Sequence, residues 1–261
     1  MKYLIAALLA GCGFSAAPGA SEPDEGMDAS SASEPDDGPT VRRRCEDPST
    51  RLCVDFEETA AVSDERGSPI EAFAIEPERR LAEQAGSFSV TSQLLVGEGA
   101  ALDITPRITI EMWARPDAIP EDAASWLLDN PTQYSIQLDR DGNVQCTMAG
   151  ERVISSRALT AATWHHVACT YDGQLLRVYI DGSLRGCRGS NRPIAIDGTL
   201  GTAIGARLQA VPAFANRFLG DLDDVHLYAR ALSASEICAL GATGPACTSS
   251  CFSDGGSGGD G

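Results

Sequence analysis

The chain has 261 residues, and 20 Lys and Arg against 37 Asp and Glu give it a formal charge of −17. So acidic a surface repels phosphate backbones, which argues against nucleic acid as a partner. The length is enough for one large β domain or two small ones, and a hydrophobic content of 43% lets most of the chain bury a core.

The first residues, MKYLIAALLAGCGFS, offer one Lys, an apolar run from Tyr3 to Ala10, then Gly11 and Cys12. That is the order of an export signal. The run falls far short of the roughly 20 residues that a membrane-spanning helix needs. Leu9-Ala10-Gly11-Cys12 resembles the bacterial lipobox, in which the cysteine carries lipid and becomes the first mature residue. Residues 1–11 are therefore expected to be a signal peptide and Cys12 the lipidation site. This places the protein at the bacterial cell envelope, touching the membrane through its anchor only. A cleaved secretory signal beside a chance cysteine is the alternative, and it would release the protein.

Residues 12–44 are expected to form a disordered acidic linker. Seven acidic residues lie between Glu22 and Asp37 and no base appears until Arg42, a composition with too little apolar surface to offset the entropy of ordering. Residues 252–261, rich in Gly, Ser and Asp, should be a second disordered run. Between them, 45–251 reads as one domain.

Of nine cysteines, eight remain once Cys12 is set aside: Cys45, Cys53, Cys146, Cys169, Cys187, Cys238, Cys247 and Cys251. An even set in an exported chain reads as four disulfides, for which 105 connectivities exist. Local spacing suggests Cys45 with Cys53 and Cys146 with Cys169. The spacings do not fit a zinc finger.

Within the domain the hydrophobic period is two. The run 107–116 alternates up to Pro116. Residues 134–148 alternate on both sides of Asp141-Gly142, the signature of a β-hairpin. Asp172-Gly173, Asp181-Gly182 and Asp197-Gly198 punctuate further short strands. The pattern describes an all-β, two-sheet antiparallel sandwich. The adjacent His165 and His166 fall in a strand, so their side chains diverge and cannot share a metal ion. One short helix is legible: Ser233 followed three residues later by Glu236 is a capping box, and the helix should end near Gly241.

Three segments in order, 108–117, 163–182 and 218–237, resemble the laminin-G-like or concanavalin A-like lectin/glucanase jelly roll. The likeness covers about residues 52–241. It implies two curved antiparallel sheets, with the strand of LCVDFEE (52–58) beside that of LDDVHLY. It also implies a recognition role toward sugars or proteins, although some branches of the family are glycosidases.

Retaining glycoside hydrolysis needs two carboxylates about 5–5.5 Å apart. Asp221 with Asp223, without a Glu acid nearby, and Asp55 with Glu57, on the entry strand, are each expected on one strand face, and each reads as a loop-edge or cation-binding pair rather than a catalytic dyad. No Gly-x-Ser-x-Gly elbow is present. The expectation is therefore a non-catalytic envelope module binding a carbohydrate or another surface protein. A glycosidase of the same fold and a structural envelope protein without a small ligand are the alternatives. Glu57 and Asp223 are candidate ligands for a structural calcium ion at a sheet rim. Trp126 and Phe214, near loops, are candidate ligand-binding aromatics. Trp113 and Trp164 are expected in the core.

Overall fold

The computed structural model describes residues 45–57, 70–73, 75–80, 83–196, 200–210, 213–242 and 247–251. The expected signal peptide, Cys12, the acidic linker, the C-terminal run and the Asp197-Gly198 turn lie outside these residues.

The period of two becomes, in chain order, strands β1 (Thr50–Val54), β2 (Ile70–Phe73), β3 (Glu76–Arg80), β4 (Glu83–Phe88), β5 (Gln93–Val96), β6 (Ile108–Pro116), β7 (Ser125–Asn130), β8 (Tyr134–Leu138) and β9 (Asn143–Met148). These are followed by β10 (Glu151–Ala158), β11 (His165–Tyr171), β12 (Leu175–Ile180), β13 (Ser183–Gly189), β14 (Thr202–Ile204), β15 (Arg207–Ala210), β16 (Ala213–Ala215) and β17 (Gly220–Tyr228). One helix follows, α1 (Ala234–Gly241). An eight-stranded sheet runs β13-β12-β11-β6-β17-β4-β3, with β1 added against β17. Strand β17 is long enough to hold both neighbours on one side, β4 along Gly220–Leu222 and β1 along Val225–Tyr228. A seven-stranded sheet runs β10-β9-β8-β7-β14-β5-β2, and β15 and β16 form a separate hairpin.

The two sheets face each other across one core. Ile108, Ile110 and Met112 of the larger sheet and Ile136, Val144 and Met148 of the smaller belong to it, all fully buried. Cys146 of β9 and Cys169 of β11 bridge the sheets through this core, with Cα atoms 6.1 Å apart. The Asp181-Gly182 turn between β12 and β13 has positive φ at both residues, 51° and 71°. A two-residue hairpin with right-handed strand twist requires that geometry, and Gly supplies it without strain. A Cβ at Gly182 would also come within 2.9 Å of Cys247 Sγ.

The outer face of the larger sheet carries a second, smaller core. Ala168, Tyr179, Leu184 and Tyr228 pack there against Leu232 and Ile237 at and beside α1. The helix opens with the expected capping box, Ser233 accepting from the Glu236 amide while Glu236 accepts from the Ser233 amide at 2.7 Å. Disulfides Cys238–Cys247 and Cys187–Cys251 tie the helix and the last described segment to this face, and Cys45–Cys53 ties the start of the domain to β1.

Trp113 and Trp164 depart from expectation, because both are half-buried rather than in the core. Alternation places Trp113 opposite Met112, so it faces outward, edge-on to His166 at 5.5 Å. Trp164 precedes β11 and lies under the Arg115 guanidinium at 5.9 Å. Asp55 and Glu57 do not share a strand face either, since β1 ends at Val54 and Phe56 adopts a positive φ of 58°.

Candidate functional site

The outer face of the seven-stranded sheet differs from that of its partner, because its side chains are mostly polar. Registers across β7 to β10 align them into two rows. The first runs Asp129, Ser135, Thr147, Arg152, and the second Trp126, Gln137, Gln145, Ile154. The inward neighbours on these strands, Leu128, Ile136, Cys146 and Val153, lie in the core, which fixes the rows on the opposite side. Gln137 and Gln145 are nonetheless only 8% exposed, so this face is recessed. Gln137 Oε1 is buried without a hydrogen-bond partner among the described residues.

One end of the recess is walled by the β15–β16 hairpin. Asp129 accepts from the Leu208 amide at 2.9 Å, the Trp126 amide donates to the Asn216 carbonyl at 3.0 Å, and the Arg207 guanidinium lies 5.3 Å from the Trp126 ring. Burial raises the Asp129 carboxyl to about 6, against the opposing pull of the Leu208 amide and the Arg207 charge. At the other end opens a cleft of about 450 Å³ lined by Gln145, Thr147, Gly150, Glu151, Arg152 and Arg188. Trp126, singled out from sequence, is thus half-buried on the recessed face. Phe214 serves the wall itself, packing against the Leu95, Ala203 and Leu208 cluster and under Arg217 at 5.6 Å. Sequence reasoning missed Gln137, Gln145 and Asp129. The alternation of 134–148 contains the signal for the two glutamines, since both fall on the polar side of the hairpin.

The remaining candidates lie elsewhere. Asp221 and Asp223 do share the outer face of β17, where both are buried. Asp221 pairs with Arg115, and Asp223 Oδ1 accepts from the Asp224 amide at 2.8 Å. Glu57 is exposed and accepts from the Gln84 amide at 3.2 Å. The two carboxylates singled out for calcium are therefore engaged with different partners.

The histidines diverge as a strand requires. His165 Nε2 accepts from the Thr160 amide at 3.1 Å, leaving Nδ1 to donate to Asp181 at 3.0 Å. His166 turns to the opposite face and meets Glu111 at 3.0 Å. Glu111 also accepts from the Tyr228 hydroxyl at 2.7 Å and lies 3.3 Å from His226. Burial alone would raise Glu111, but hydrogen bonds and charge from His166 and His226 outweigh it and hold the carboxyl well below its usual range. Gly241 of α1 lies directly over the His166 ring. This buried cluster mortars the helix to the sheet. Among the described residues, one group of three possible metal ligands comes together, Cys45, Cys53 and His226. Its two sulfurs are joined as a disulfide and so offer no thiolate.

The family model described as concanavalin A-like lectin/glucanases superfamily matches residues 88–238. Comparison with curated proteins gives no match. Among solved structures, the binding domain of Paraclostridial Mosquitocidal Protein 1 superposes with a TM-score of 0.61 at 18% identity, covering 77% of this chain and 52% of that one. Domain 4 of AbnA, an extracellular arabinanase of Geobacillus stearothermophilus solved with arabinotriose, gives 0.58 at 17% identity over 74% of this chain and 98% of that domain. The binding domain of botulinum neurotoxin serotype C1 gives 0.58 at 11% identity over 74% and 51%. The chain thus spans about half the length of the toxin binding domains it matches.

Proposed function

The chain belongs to the concanavalin A-like lectin/glucanases superfamily, and from that premise we propose that it is a non-catalytic recognition module whose recess on the seven-stranded sheet binds a glycan. The observation that carries the reading is the recessed face on which the row of Trp126, Gln137 and Gln145 runs beside the polar row from Asp129 to Arg152. Sugar rings stack their C–H faces on an aromatic side chain and present hydroxyls that need both donors and acceptors. Trp126 offers the platform, Gln137 and Gln145 offer amides with both capacities, and the cleft volume falls in the range of small-ligand sites. The arabinotriose complex of the AbnA domain supports a sugar as the ligand class.

The carboxylate geometry supports a binding role over hydrolysis. On β7 to β10 the described carboxylates are Asp129 and Glu151, three strands apart. Three strand spacings amount to about 14 Å, beyond both the ~5–5.5 Å of retaining and the ~6.5–9.5 Å of inverting enzymes. The proposal extends to location: the Leu9–Cys12 lipobox would anchor the module at the bacterial envelope, with the acidic segment as its stalk.

A glycan array followed by calorimetric titration of the bound oligosaccharides, arabinotriose included, tests the binding reading. Trp126→Ala should weaken binding about tenfold, the equivalent of roughly 1.4 kcal/mol, while Trp164→Ala leaves it unchanged. A wild-type protein silent on the array, or one whose affinity ignores Trp126→Ala, refutes the reading. Release of reducing ends from any bound oligosaccharide would refute its non-catalytic part.

A further inference from the structure

We infer that the glycan is anionic, its carboxylate or sulfate held at the β9–β10 end of the recess by Arg152, Arg188 and Arg192. This inference rests on the reading of the recess as a glycan site and narrows it to a ligand class. The starting observation is a local reversal of charge. The chain as a whole carries −17, yet among the described residues at this end three arginines gather around one acid, Glu151. Arg152 and Arg188 line the cleft, and Arg192 Nη1 lies 3.5 Å from where a Cβ on Gly150 would sit.

These arginines are also held differently from others in the molecule. Arg177 meets Asp172 at 2.7 Å, and Arg230 meets both Asp47 and Glu236 at 2.8 Å, the ordinary length of a charge-assisted hydrogen bond. Around the cleft, Glu151 is divided between Arg188 at 3.5 Å and Arg192 at 3.8 Å. Arg152 has no ion-pair partner among the described residues. The Arg188 and Arg192 side chains are 61% and 66% exposed, so their guanidinium donors are free to turn toward a ligand. A guanidinium matches carboxylate and sulfate oxygens through paired N–H donors. The acidic field of the rest of the protein repels a polyanion, so an anionic sugar docks only where that field is locally reversed.

The same face supplies the uncharged half of the recognition. Gln145 lines the cleft and stands beside Gln137 in the same cross-strand row. Arg152 ends one row at β10 and Trp126 ends the neighbouring row at β7, so the ligand lies across the strands with its anionic group at β10 and a stacked ring at β7.

The test is calorimetric titration of the full chain with paired oligosaccharides at low and moderate salt: a neutral hexose oligomer, its uronate counterpart, and a sulfated one. The wild type should bind an acidic member at least tenfold more tightly than the neutral one, and whichever acidic member binds better identifies carboxylate or sulfate as the group held. The triple variant Arg152→Gln/Arg188→Gln/Arg192→Gln should lose that preference and its salt dependence while keeping the neutral affinity and the melting temperature. Arg140→Gln, at the opposite turn of the β8–β9 hairpin, should change nothing. Equal or better wild-type binding of the neutral oligomer overturns the inference and leaves the glycan reading standing. So does an acidic preference that survives in the triple variant. Failure of all three oligomers, and of the array, removes both.

Discussion

Asp129 is the residue at which stability and site chemistry can be separated. The residue is 5% exposed beneath the β15–β16 hairpin, and its carboxyl is raised from an ordinary 3.8 to about 6. A raised acid on a ligand-binding face is how general acids present themselves; burial under the hairpin, at the end of the recess away from the cleft, accounts for it here without catalysis. In the unfolded chain the group ionises near 3.8, so between about pH 4 and 6 the unfolded state has released a proton that the folded state still holds. Stability must then fall as pH rises through that window. A gap of about two units corresponds to about 3 kcal/mol, lost in full above pH 6. Asp129→Asn keeps an oxygen for the Leu208 amide and removes the ionisation. The variant should match the wild type near pH 4 and exceed it by up to about 3 kcal/mol at pH 7. Urea denaturation of both proteins at pH 4, 5, 6 and 7 measures the difference, in which the contributions of other titrating groups cancel. A difference that does not change across the series refutes the account of a hairpin-buried acid. Loss of a hydrolytic activity in the variant would instead make Asp129 an acid catalyst.

Two further outcomes follow from the packing. Replacing Cys146 and Cys169 by Ala opens a staple across a sequence separation of 23 and should cost about 3 kcal/mol by loop entropy, read as a lower urea midpoint. Glu111→Ala leaves two imidazoles and the Tyr228 hydroxyl facing a void under α1, and should destabilise by about 3–5 kcal/mol, as breaking a buried pair does. It should also raise hydrogen exchange in Ala234–Gly241 before the seven-stranded sheet is affected; uniform exchange would contradict the helix-docking role of this cluster.

The sandwich was legible because its signals are local. Alternation in 108–116 and 134–148, Asp-Gly at the turns and Ser233 with Glu236 at the helix start are each decided within a few residues. The short strands β14, β15 and β16 carry three or four residues each, too few for a period to stand out from the surrounding sequence. Trp113 illustrates a signal that was present and misjudged. Ile108, Ile110 and Met112 already define the inward face of β6, which sends Trp113 outward with Glu111, but an apolar ring among apolar neighbours reads as core.

The recess was harder to see for a different reason. Alternation places Gln137 and Gln145 on a polar face, yet a polar face is the default for any solvent-side strand and carries no functional signal by itself. What turns it into a site is which of the two outer faces is covered. The larger sheet spends its outer face on α1, held down by Glu111, Cys187 and Cys238 from three separate parts of the chain. On the smaller sheet the β15–β16 hairpin covers only one end, and the cleft opens at the other. Neither fact exists until strands far apart in sequence have paired. The arginines show the same dependence. Arg152 comes from β10, Arg188 from β13 and Arg192 from the segment after it, so in the sequence they are three scattered bases in an acidic chain. Only where the β10 and β13 edges of the two sheets meet do they become a concentration of positive charge around one glutamate.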